Sequence, residues 1–223
     1  MSNAVEWLVC FAVAEEAASF VGPRHGQVAR VITGMGRRNA ERSVFEALKK
    51  FQPDWVISAG FAGGLNPELK RGLVLFDRKH DSPQAAELAA LGALPATFHS
   101  TQRVAVTAAE KRLLRRETGA DAVEMESSAI RELCHAAGFP VMTIRVISDT
   151  ADEDLPLDFN ALMTPADQIN WWKFARTIAF QPTLIGSLIA FQRQTRDAAR
   201  QLGRVLNQVV KQRAPAAWRQ GVP

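Results

Sequence analysis

The 223-residue chain has little of what metal or redox chemistry requires. It holds two cysteines, Cys10 and Cys134, with no CxxC pair and no metal-ligand spacing. Buried thiols in a reduced, cytosolic setting are therefore expected. Its four histidines, His25, His80, His99 and His135, also lack ligand spacing, so surface or core roles are expected of them. No GKS/T loop and no GxGxxG occurs, which removes the Walker and Rossmann phosphate cradles. No apolar run is long enough to span a bilayer; the stretch from Ile178 to Phe191 is interrupted by Gln181, Pro182 and Ser187. The first apolar run has no basic segment before it and ends at Glu15 and Glu16, which suits a first β-strand better than a signal peptide. Internal repeats and low-complexity segments are absent from the sequence as well.

What is present is globular composition. Hydrophobic residues are 47% and charged residues 22%, which excludes a disordered chain and suits one α/β domain over residues 1–223. The net charge of +4 conceals an asymmetry. From Trp171 onward the chain is strongly basic, with Asp197 the one acid, while the part before it is net acidic. A basic tail has the charge to meet nucleic acid or an anionic membrane surface. No aromatic interleaving accompanies it, so a solvated helix face is the simpler reading and no nucleic-acid partner is expected.

Periodicity supplies the order of elements. Trp7–Val13, Val28–Thr33, Trp55–Ala59, Gly72–Phe76, Val104–Val106 and Pro140–Ile147 read as strands. Helices are expected over Arg38–Lys50, Gln84–Leu91 and Glu124–Ala137. A further helix begins at Thr107, where Glu110 completes a capping box. Gly138 stands where a C-cap glycine belongs. A helical, basic segment follows over about residues 165–212. In it Leu184, Leu188, Phe191, Thr195, Ala198, Leu202, Val205 and Val209 form one stripe. Strands alternating with helices predict a three-layer α/β/α sandwich.

Four places carry candidate chemistry, each at the carboxyl end of an expected strand, where open α/β sheets bind ligands. Asp149 ends the run Val146-Ile147-Ser148; it is either a partly desolvated proton donor or the cap of a following turn. Glu124 and Glu126 flank Met125. Either glutamate suits a helix N-terminus, and Glu126 alternatively accepts from two vicinal hydroxyls. Glu15 and Glu16 follow the first strand. The glycine-rich segments Gly34-Met35-Gly36 and Gly60-Phe61-Ala62-Gly63-Gly64 read as tight turns or as backbone that approaches a ligand.

Taken together, TGMG at Thr33–Gly36, ISAGFAGGL at Ile57–Leu65, AVEMES at Ala122–Ser127 and IRVISDTAD at Ile144–Asp152 resemble a known set of signatures. They are similar, in order and spacing, to the purine nucleoside phosphorylase and methylthioadenosine/S-adenosylhomocysteine nucleosidase superfamily. The resemblance spans roughly residues 7 to 155. It implies a mixed, partly barrel-like sheet flanked by helices. It also implies cleavage of the bond between a purine, favoured as adenosyl, and its ribose, without metal or organic cofactor. Asp149 then serves the departing base, with Ser148 beside it. Glu126 holds the ribose hydroxyls and Met125 packs on the sugar. Ala59, Gly60 and Phe61 form the floor, and Val106, Thr107 and Ala108 the wall that meets the base. Glu16, with Glu15 next, is the match for the glutamate that activates water. In the phosphate-using branch an arginine precedes the glycine-rich segment, where this chain has Ser58. Hydrolysis is therefore favoured over phosphorolysis. Inorganic phosphate as co-substrate would fall to Gly34 with Arg37 or Arg38, or to Arg24. The alternatives are a phosphorylase proper and a non-catalytic nucleoside-binding domain. A homo-oligomer, dimer or larger, is expected. The short chain and helical tail also resemble the hopanoid-associated phosphorylase subgroup, whose lipid substrate a membrane-surface contact would suit. Packing of the tail on the domain is the simpler expectation.

Overall fold

A computed structural model describes residues 5–23, 28–78, 84–164 and 170–211. Arg24, His25 and His80 lie outside the described residues, as do 165–169 and 212 of the expected C-terminal segment. In chain order the elements are β1 (Trp7–Phe11), β2 (Val28–Ile32), α1 (Arg37–Phe51), β3 (Trp55–Gly64), β4 (Val74–Asp77), α2 (Gln84–Ala90), β5 (Leu94–Ala96), β6 (Phe98–Ser100), α3 (Ala108–Thr118), β7 (Ala122–Glu124), α4 (Ser127–Ala136), β8 (Val141–Asp149), α5 (Phe159–Leu162), α6 (Trp171–Phe180) and α7 (Leu184–Val209).

The sheet runs β2-β1-β3-β8-β4-β5, with β7 joined to β3 and β6 to β7. β3 pairs parallel with β1 and β8 but antiparallel with β7, and β4 is antiparallel to β8, so the sheet is mixed. Alternation along each strand feeds two cores. Trp7, Val9 and Phe11 of β1 pack with Ile57, Ile144 and the α7 residues Leu202, Val205 and Leu206. Leu8 and Cys10 point the other way, against Val44 and Leu48 of α1 and Ile130 of α4. Helices thus cover both faces, which is the expected α/β/α sandwich.

Three expectations are corrected. The glycines at 60–64 do not form a turn. β3 continues through them to Gly64 because β8 and β7 supply ladder partners. Val104–Val106 is not a strand. Its polar backbone atoms bond instead to Asn160, Glu110 and Leu155. Glu124 ends β7 rather than opening a helix, and α4 starts at Ser127. The capping box is formed: Thr107 accepts from the Glu110 N–H, and the Glu110 side chain accepts from the Thr107 N–H.

Both cysteines are buried and unpaired, and burial pushes the Cys134 thiol up to about 12 and that of Cys10 well up too. Neither is a reactive thiolate. The apolar stripe of α7 is buried only from Ala198 onward. Leu184, Leu188 and Phe191 are half-buried, and Ile185 and Ile189 are exposed, as are Trp172 and Phe180 of α6. Among the described residues no helix is long and apolar enough to cross a membrane.

Candidate active site

β3 is the axis of the site. Its glycines let carboxylates approach where a side chain would stand. A Cβ on Gly60 would lie 2.5 Å from Glu16 Oε1, and one on Gly63 would lie 3.2 Å from Asp149 Oδ2. At about 3.3 Å per strand residue, Gly60 and Gly63 stand roughly 10 Å apart along β3.

Glu16 lies in the segment after β1 and is buried. Its Oε2 accepts from the N–H groups of Ala12 (2.8 Å) and Val13 (3.2 Å), and its Oε1 from that of Phe61 (2.7 Å). Desolvation nevertheless dominates and holds its carboxyl above the usual range. Glu15 is exposed, so of the adjacent acids Glu16 is the one turned inward.

Glu126 is the N-cap residue of α4, although its side chain caps nothing on its own helix. It reaches across to accept from the Gly36 N–H at 2.9 Å, joining the first residues of α4 to the turn before α1. Burial pushes it up to about 7; the Arg145 charge opposes that shift, and the Glu124 and Glu16 charges add to it. Met125 is half-buried beside it.

Glu124 and Glu126 point in different directions. Glu124 turns into the protein, where it accepts from Arg145 (2.7 Å), from the N–H groups of Glu126 (3.0 Å) and Ser127 (2.7 Å), and from the Ser100 and Ser127 hydroxyls. Arg145 and these donors outweigh desolvation and hold its carboxyl below the usual range. Arg145 projects from β8, buried, and also donates to Ser58 Oγ at 3.1 Å. The position where a phosphate-binding arginine was sought therefore holds a serine bonded to a different arginine.

Asp149 ends β8 at a bulge: Ala62 pairs with Ile147, but Gly63 pairs with Asp149, so Ser148 is the extra residue. The Ser148 hydroxyl donates to Asp149 Oδ1 at 2.6 Å, and Lys111 Nζ lies 2.5 Å from Oδ2. The segment expected as a wall, Val106 to Ala108, has little free backbone. Val106 and Thr107 N–H bond Glu110 (2.8 and 3.2 Å), Ala108 N–H bonds Asp154 (2.7 Å), and Val106 C=O accepts from Leu155 N–H (2.8 Å). Val106 and Ala108 leave this wall mainly apolar.

The other anion candidates are not gathered in. Arg37 is half exposed and paired with Glu41 (2.7 Å) and Glu132 (2.5 Å), while Arg38 is exposed. Gly34 is held by its own φ of +85° in the turn that leads to Gly36. Two residues of this arrangement were not singled out in the sequence: Lys111 and Arg145. Arg145 left a visible signal, a charge inside an apolar strand. Lys111 left none, because it sits in a basic run with Arg112, Arg115 and Arg116. Among the described residues no three His, Cys, Asp or Glu side chains group as a metal site.

This arrangement has relatives. The model of the Phosphorylase superfamily matches residues 17–80 and 94–170, and the chain belongs to that superfamily. A 5′-methylthioadenosine/S-adenosylhomocysteine nucleosidase of Actinobacillus succinogenes is 32% identical over 181 residues, 66% of this chain and 79% of the relative. Among solved structures, the futalosine hydrolase of Helicobacter pylori superposes with a TM-score of 0.64 at 18% identity, covering 93% of this chain and 98% of that one. The 5′-methylthioadenosine/S-adenosylhomocysteine nucleosidase of the same organism, bound to butyl-thio-DADMe-Immucillin-A, matches with the same TM-score at 17% identity and the same coverage. At such identities these two establish the fold.

Proposed function

We propose that this chain is an enzyme that hydrolyses the N-glycosidic bond of a purine nucleoside of adenosyl type, with water rather than phosphate as the acceptor. The observation that carries the choice of water is Glu16. It is a buried carboxylate held by the backbone N–H groups of Ala12 and Val13 just after β1 and of Phe61 in β3, and burial raises its carboxyl above the usual range, which strengthens it as a base. The nucleosidase name of the 32% identical relative supports the same reading.

In this reaction Glu16 takes a proton from water as the water attacks C1′. Asp149 meets the base and transfers the proton that lets it leave neutral. Glu126 accepts from the ribose hydroxyls, which strengthens as the sugar gains oxocarbenium character. Met125 and the β3 residues Ala59, Gly60 and Phe61 line the sugar side, and Val106, Thr107 and Ala108 the base side. Arg145 steadies the acids: its charge lowers both Glu16 and Glu126 against their burial. The proposed chemistry uses no metal and no organic cofactor.

The test is product analysis with methylthioadenosine, S-adenosylhomocysteine and adenosine. Release of free base and reducing sugar in phosphate-free buffer is expected, at a rate that added phosphate leaves unchanged. A strict phosphate requirement with a ribose 1-phosphate product would replace hydrolysis by phosphorolysis. Tight binding of all three without turnover would make the chain a nucleoside-binding protein.

A further inference from the structure

Only two residues of α3, Ala108 and Lys111, are buried. A lysine at such a position is costly unless every N–H of its ammonium finds an acceptor. All three do: Asp149 Oδ2 at 2.5 Å, the Thr150 carbonyl at 2.8 Å and the Glu153 carbonyl at 2.7 Å. The other oxygen of Asp149 takes the Ser148 hydroxyl at 2.6 Å. A carboxylate oxygen has two acceptor sites, so each oxygen of Asp149 keeps one for a substrate. Two donors thus hold the acid, one on each oxygen.

Resting on the reading of Asp149 as the group that meets the departing base, we propose that Lys111 is a positioning residue. It aims Asp149 and stores the proton that Asp149 delivers. As the bond from C1′ to the ring nitrogen breaks, its electron pair stays with the base. One proton moves in two hops, first from Lys111 Nζ to the Asp149 carboxylate and then from Asp149 to the base. The base leaves neutral, Asp149 is a carboxylate again and Lys111 is left as an amine. A proton from solvent restores the ammonium after the product leaves. No other cation is within ion-pair distance of Asp149 among the described residues, so the role falls to Lys111 alone.

The experiment compares two substrates that differ in their need for that proton. A purine nucleoside needs it; a nitrophenyl riboside, whose leaving phenolate is stable as an anion, does not. Lys111→Met is expected to lower kcat on the purine nucleoside about 100-fold and to change the nitrophenyl riboside by less than about 3-fold. Lys111→Arg, which keeps a cation, is expected to recover part of the loss. Adding Lys111→Met to Asp149→Asn is expected to cost nothing more on the purine substrate, since one acts through the other. Equal losses on both substrates, in protein whose circular dichroism matches the parent, would make Lys111 a tie between α3 and the 150–153 turn and overturn the proposal. Full purine activity in Lys111→Met would do so too. Where Lys111→Met fails to fold, Lys111→Arg decides by the same ratio of the two substrates: a purine-selective loss supports the role and a uniform loss ends it. Parent protein inactive on both substrates would overturn the functional reading itself.

Discussion

Arg145 and Lys111 are the two buried cations among the described residues, and the molecule uses them in opposite ways. Arg145, on the side proposed for the sugar, is neutralised by Glu124 at 2.7 Å and spreads the rest of its field over Glu16 and Glu126 without an ion pair to either. Those two acids stay above their usual range, and Glu126, at about 7, takes up a proton near neutrality. Lys111, on the side proposed for the base, gives its charge to Asp149 and two carbonyls. One region keeps carboxyls responsive to protons and the other fixes one acid in place. In the proposed mechanism one acid accepts a proton and another delivers it, and such a pair needs unlike surroundings.

The sharpest way to break that contrast is to remove the fixed acid. Asp149→Asn is expected to lower kcat on a purine nucleoside roughly 10³- to 10⁴-fold with the fold intact, read by base release and circular dichroism. Full activity would remove the base side from the mechanism. On the sugar side the largest effect is on stability. Glu124→Gln leaves Arg145 buried without its counter-charge and is expected to cost about 3–5 kcal/mol in urea unfolding. A cost under ~1 kcal/mol would mean that the pair is hydrated and does not govern Glu16 and Glu126. Gly60→Ala probes the same side more gently. The new methyl would stand 2.5 Å from Glu16 Oε1, so the acid must move. We expect kcat to fall by about 10² while stability changes little. An unchanged kcat would separate Glu16 from the reaction.

The sequence disclosed the two sides unequally, and the reason is physical. Elements whose backbone needs are met locally were legible. The capping box at Thr107 and Glu110, the continuous apolar β1 and β8, and the αL glycine Gly138 after α4 are written in adjacent residues. Elements that depend on distant partners were not. The glycines of β3 are extended because β7 and β8 flank them, and the three-residue strands β5, β6 and β7 have no period of their own to display. The same rule governs the site. Asp149, Glu16 and Glu126 stand at strand ends and could be picked out there. Lys111 was invisible, since whether a lysine of α3 meets solvent or Asp149 depends on the turn at 150–153, far along the chain. The stripe of α7 shows the limit from the other direction. Its eight positions are equivalent in the sequence, yet only Ala198, Leu202, Val205 and Val209 meet the sheet.

The smallest expected effect concerns pH and separates Glu126 from Glu124. Burial raises Glu126 from 4.5 to about 7, so between those values the folded protein binds this proton more tightly than the unfolded chain. Stability from this group is therefore full below about pH 4.5, declines as pH rises, and is lost above about 7. Glu124 runs the other way: its carboxyl is lowered, so its contribution is present above pH 4.5 and lost only as pH falls through its folded value. Glu126→Gln is thus expected to match the parent in melting temperature near pH 4.5 and to exceed it by a few degrees at about pH 8. Activity moves with the opposite sign, because the ionised carboxylate is the better acceptor for ribose hydroxyls. In the parent kcat/KM should climb toward pH 7, and in Glu126→Gln that limb should flatten while KM rises about tenfold. A melting difference that stays constant from acid to alkaline pH would show that Glu126 is as hydrated as a surface acid, and the proton-responsive sugar side would lose its second member.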